Sequence, residues 1–265
     1  MSGSIISFVD WLQTPAGQYL LAWERAQLDK TVSDIFGYHA LQLGLAQLDG
    51  LHTNRMSHQW LALDQAGLVG SSTAREPTLF SDYTALPFPS SCLDLVVLPH
   101  TLEFSSDPHA TLREVERVLV PEGRVVICGM NPTSLWGFNQ SRGHLYHRLG
   151  YDRLFLPKDG EFIGYLRLRD WLGLLSFEVE KGEFGCYRPA LRSEKWLHRF
   201  EWMDRIGARW WPIFGAAYFL VAVKRVRGMR LLETAWKPKQ PLVGKSVSVA
   251  NKAQGHYSNL EKSLE

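Results

Sequence analysis

The sequence is poor in cysteine, and the three it has, Cys92, Cys128 and Cys186, are odd in number and far apart. That excludes a disulfide framework and a cysteine zinc site, leaving free thiols. Neither sign of charge prevails: 29 Lys and Arg against 27 Asp and Glu give a net +2, so no sequence-wide field draws the protein to nucleic acid or anionic lipid. The start, MSGSIISFVDWLQ, lacks a basic stretch leading into an apolar one, which speaks against a secretory signal and predicts a cytoplasmic protein. No apolar run is long enough to span a bilayer. The strongest near the end, Trp210 to Val223, passes straight into Lys224 and Arg225 and reads as a core strand. Nowhere do glycines form the tight pyrophosphate loop of a nicotinamide-dependent dehydrogenase, which excludes that class. His144 and His147 have no third ligand in view, so no metal is expected.

What is present suits one sizeable α/β domain, with 265 residues of which 45% are hydrophobic. Thr14 and Pro15 resemble an N-cap and first helical position, and apolar residues continue at helical spacing to Gly37, so residues 1–36 form an N-terminal helical segment. Ala40 to Leu43 is a short buried strand meeting a turn at Gly44, and Gln59 to Leu63 is a second, ending at Asp64. Leu93 to Leu98 is an almost unbroken apolar run of the kind a doubly buried parallel strand requires. Asp107 and Pro108 then start a helix that carries Leu112, Val115, Val118 and Leu119 on one face, and Val125 to Cys128 is the next strand. Strand, crossover helix and strand make one βαβ unit.

The main domain spans 37–232. Within it, 131–164 is an irregular cover segment and 188–211 a helical insertion rich in tryptophan. Its acids dilute its Lys and Arg, which favours a packed helix with a solvated face over a base-stacking or membrane-interface helix. Tyr218 to Val223 is the closing strand. The polar, lysine-rich tail 233–265 has no periodicity and is expected to be disordered.

The block from Leu86 to Pro132 resembles the later half of class I S-adenosylmethionine-dependent methyltransferases of the type 11 group. Asp82, Leu86-Pro87-Phe88, Asp94, Asp107-Pro108, Arg117-Val118-Leu119 and Pro121-Glu122-Gly123 carry the resemblance, in order. It implies a Rossmann-like three-layer α/β sandwich with a mostly parallel central sheet and an antiparallel final strand. It also implies S-adenosylmethionine as cofactor and in-line methyl transfer to a small or medium-sized acceptor. The glycine-rich loop of the family is degenerate here: of Leu41-Gln42-Leu43-Gly44-Leu45-Ala46-Gln47-Leu48, only Gly44 is retained, and Gln42 replaces an acid.

By that resemblance Gln42, Gly44 and Ala46 lie in the cofactor loop, Asp64 is the ribose-binding acid, and Asp82 contacts the adenine amino group. Pro99 and His100 follow a central strand and so line the pocket, Pro99 on the cofactor side. His100 is the candidate general base, since imidazole accepts a proton near neutral pH. Glu103 and Asn131 are candidates to orient the acceptor. The eroded loop also admits a catalytically inactive protein of this fold that acts as a binding or regulatory module.

Overall fold

The computed structural model describes residues 7–64, 75–140, 160–191 and 193–225. The expected tail, most of the cover segment, and His144 and His147 lie outside the described residues. Two helices come first, α1 (Phe8–Leu12) and α2 (Pro15–Val32), the latter capped by the Thr14 hydroxyl accepting from the Gly17 N–H. Seven strands follow: β1 (His39–Leu43), β2 (His58–Leu63), β3 (Leu79–Phe80), β4 (Leu93–Pro99), β5 (Leu119–Met130), β6 (Phe177–Gly185) and β7 (Ala217–Lys224). Between β4 and β5 come α3 (Thr101–Phe104) and α4 (Pro108–Val118). Helix α5 (Tyr165–Leu174) precedes β6, and α6 (Glu194–Arg199) and α7 (Trp202–Trp210) separate β6 from β7.

The strands form one sheet in the order β3-β2-β1-β4-β5-β7-β6. The first five in that order run parallel, and β7 lies antiparallel between β5 and β6. The expected parallel pairing of the two central runs is realised, with Val96 opposite Val125 and Leu98 opposite Ile127. The expected break at Pro121 and Gly123 falls inside β5: partners jump from Leu93–Leu119 to Leu95–Arg124, and Glu122 takes φ 65. The residues between bulge out, which the short β4 partner cannot match.

Side chains alternate across the sheet, as strand geometry dictates. Leu95, Val97, Val126 and Cys128 face α1 and α2, packing on Leu20, Leu28 and Val32. Val96, Leu98, Val125 and Ile127 face α4 and α5, packing on Leu112, Val115, Leu168 and Leu172. These two clusters make the three layers. The β1-to-β2 connection, residues 44–57, contains turns and no helix. A parallel crossover ordinarily needs one; here α2, arriving from before β1, covers that face together with Leu48 and Leu51.

The motif block is clamped by polar side chains. Asp94 Oδ2 accepts from the Tyr38 and His39 N–H groups at 2.8 and 2.9 Å, fixing the start of β1 beside β4. Arg117 donates to the Phe88 and Leu86 carbonyls, while Glu114 accepts from the Leu86 N–H and from Arg117. The Leu-Pro-Phe turn is thereby pinned to α4.

Candidate functional site

The carboxyl ends of β1, β2, β3 and β4 lie on one edge of the sheet, at Gly44, Asp64, Asp82 and Pro99. In open parallel sheets this is the ligand edge. Gly44 takes φ +76, a left-handed backbone that favours glycine, and Leu45 follows at φ 39. A side chain at Gly44 would meet Thr101 Oγ1 at 3.2 Å and Tyr83 Oη at 3.4 Å. Thr101 donates to the Leu43 carbonyl, and the buried Tyr83 hydroxyl accepts from the Asp64 N–H at 3.0 Å. Burial pushes the Tyr83 phenol up to about 12, so it is protonated at neutral pH.

The degenerate loop is knitted together by Gln42. Its Nε2 donates within 2.7 Å of the Leu48 carbonyl and 3.0 Å of the Leu45 carbonyl, and its Oε1 accepts from the Gly50 N–H at 2.8 Å. A carboxylate could accept but not donate, so the amide is what three buried backbone groups require. Ala46 packs on Leu61 and Leu63 of β2. Leu48 is fully buried in the cluster under α2, and Leu45 packs against the same cluster. Leu48, which stands where the family keeps a glycine, therefore turns into the core.

Asp64 and Asp82 are exposed at the ends of neighbouring strands. Asp82 Oδ1 accepts from both the Thr84 N–H and hydroxyl at 2.8 Å, which holds its carboxyl below the usual range. Its other oxygen has no partner among the described residues, and neither does the Asp64 carboxylate. Two free carboxylate edges at the ends of β2 and β3 fit the hydroxyl and amino donors of a nucleoside. The methionine end of such a ligand finds no free acid at position 42.

His100 sits one residue past β4 with φ 56 and is 1% exposed. Its Nδ1 lies 2.8 Å from Glu103 Oε2 and its Nε2 2.8 Å from Glu24 Oε1. Both ring nitrogens are thus engaged within the protein. Burial alone lowers the imidazole pKa, but Glu24 and then Glu103 overcome it and hold it up at about 10. Burial raises the Glu103 carboxyl, partly offset by His100. Glu103 Oε1 also accepts from the Met130 N–H, so the cluster joins α2, α3 and the end of β5. Sequence reasoning missed Glu24. Its signal was an acid four residues after Leu20 and four before Leu28, on the buried stripe of α2.

Asn131 is likewise spent internally. Its Nδ2 donates to the Ile213 and Gly215 carbonyls at 2.7 and 2.9 Å, and its Oδ1 accepts from Thr133. It fastens the end of β5 to the approach of β7. Pro99 is buried opposite Cys128.

A family model described as a methyltransferase domain matches residues 50–127, opening just past the Gly44–Leu48 loop. The uncharacterised protein YafS of Escherichia coli is 34% identical over 172 residues, 64% of this chain and 65% of that protein. The malonyl-[acyl-carrier protein] O-methyltransferase 1 of Coxiella burnetii is 31% identical over 99 residues, 37% of this chain and 34% of that enzyme. The chain thus spans less than two thirds of the length of either curated relative. Among solved structures, the putative methyltransferase in complex with the Haloferax volcanii Trm112 methyltransferase activator superposes with a TM-score of 0.57 at 17% identity. That match covers 85% of this chain and 99% of the other.

Proposed function

We propose that the chain is a class I S-adenosylmethionine-dependent methyltransferase of the type 11 group, which binds S-adenosylmethionine and transfers a methyl group to a small or medium-sized acceptor. The observation that carries this reading is the pair of exposed strand-end acids, Asp64 and Asp82, each with at least one carboxylate oxygen that has no partner among the described residues, on the same ligand edge as the left-handed Gly44. Asp64 accepts from the ribose hydroxyls and Asp82 from the adenine amino group. The cofactor, when bound, supplies a sulfonium methyl open to in-line displacement. Holding acceptor and methyl in line is the main demand on the protein, because the leaving sulfur needs no proton. His100, Glu103, Gln42 and Asn131 act as positioning residues, since each is engaged with other protein groups. Residence in the cytoplasm is part of the proposal, in keeping with the free thiols of Cys92, Cys128 and Cys186.

A second reading, a non-catalytic binding module, is favoured by one feature: Gln42 closes the loop with the protein's own groups. Calorimetry with S-adenosylhomocysteine separates the two. Binding with a dissociation constant between about 1 μM and 1 mM, lost about tenfold in Asp64→Asn, is the expected outcome. A folded protein that gives no heat at millimolar ligand would leave only the second reading.

A further inference from the structure

The tryptophan-rich insertion turns aromatic side chains onto its solvated face. In α7, Gly207 is buried against the Tyr187 ring and Asp204 is tied to Arg188 at 2.9 Å, so that side of the helix faces the body. Trp202, Ile206 and Trp210, spaced four apart, form a stripe that is 39% to 70% exposed. Trp211 continues it at 55%, followed by Ile213 and Phe214 in a 3-10 turn, also exposed. An amphipathic helix in a globular protein normally turns its apolar stripe inward. This one presents it to the outside, where Trp202, Ile206 and Trp211 themselves line an apolar groove of about 280 Å³ with Leu135, Tyr187 and Phe214.

Cations accompany the stripe. Lys195, Arg199, Arg205 and Arg209 are exposed and have no ion-pair partner among the described residues. The acids nearby are Glu194, Glu201, which pairs with His198, and Asp204, which is neutralised by Arg188. Arg205 and Arg209 follow Trp202 and Ile206 by three residues, on the flank of the apolar stripe. We propose that this surface docks the protein on an anionic phospholipid bilayer. The indole rings enter the headgroup boundary and the flanking guanidinium groups meet lipid phosphates, as in helices that lie in the membrane plane. The helix is short, so attachment is reversible. The same surface leads into β7 beside the ends of β5 and β6, so docking turns the ligand edge of the sheet toward the bilayer.

The test is co-sedimentation of the whole protein with vesicles of phosphatidylcholine alone or mixed with phosphatidylglycerol. Binding to the mixed vesicles only, weakened by salt, is expected. The combined Trp202→Ser, Trp210→Ser and Trp211→Ser variant lowers it by at least about tenfold. Should that variant fail to fold, Arg205→Glu with Arg209→Glu keeps the apolar stripe and lowers binding about as much. Leu174→Ser, an exposed apolar residue on α5, leaves binding unchanged. No sedimentation with mixed vesicles, or sedimentation indifferent to all these changes, overturns the proposal. So does concentration-dependent self-association through the stripe without vesicle binding, which would make it an interface between copies.

Discussion

A glutamate at position 42 would restore the acid that the family keeps there, yet in this chain it would set a carboxylate against the Leu45 and Leu48 carbonyl oxygens. Gln42 is 1% exposed, so that charge would have neither water nor a donor beyond the Gly50 N–H. Gln42→Glu is therefore expected to lower unfolding free energy by about 3 kcal/mol, read from urea unfolding at pH 7, without tightening S-adenosylhomocysteine. Tighter binding in the variant would mean that the loop opens to the ligand. The sequence made the loss of the acid legible but not its compensation. Nothing in a string of residues reveals that an amide oxygen meets a backbone N–H eight positions on. Asp64 was legible as a strand-end acid from its place after an apolar run, and Asp82 only through its offset to the Leu-Pro-Phe turn of the family resemblance; Tyr83, which fills the space beside Gly44, carried no signal of its own.

At the scale of elements, the Glu24–His100–Glu103 cluster is a strap between α2, the β4–α3 junction and β5. Its charge sets a pH dependence. Unfolded, His100 titrates near 6.5; folded, Glu24 and Glu103 hold it at about 10 despite the opposing burial. Below the unfolded value both states carry the proton and the stabilisation is complete. As pH rises from about 6.5 to 10 the unfolded chain gives up its proton first, so stability falls. The raised Glu103 carboxyl acts in the same direction, from the ordinary glutamate range upward. His100→Gln should flatten that decline and cost about 3 kcal/mol near neutrality, because two buried acids lose their cation. Chemical unfolding across that range checks it; a slope unchanged in the variant would deny the strap its role. The elements themselves were largely legible, since β4, α4 and β5 follow from one apolar run, one cap and one turn. The missing helix between β1 and β2 was not, because α2 covers that face from elsewhere in the chain.

For the whole molecule, the N-terminal helices are a layer of the core and not an appendage to it. Residues 1–36 read as a segment ahead of the main domain, but Leu12, Leu20, Leu28 and Val32 are all buried against the face that carries Leu95, Val97, Val126 and Cys128. The opposite face has α4 and α5 to itself and loses nothing directly if α2 is removed. Deleting residues 1–36 would strip α1 and α2 from one side of the sheet, leaving little more there than Leu48, Leu51 and Trp136, and leave His100 and Glu103 without Glu24. With no helix in the β1-to-β2 connection to take its place, the exposed apolar face cannot be covered locally. The truncated chain should keep strand-rich far-ultraviolet dichroism yet lose near-ultraviolet signal, bind a hydrophobic dye and unfold without a cooperative step. A sharp, two-state transition in that chain would show that the sheet is stable with α4 and α5 alone, and that α1 and α2 serve the ligand edge instead of the core.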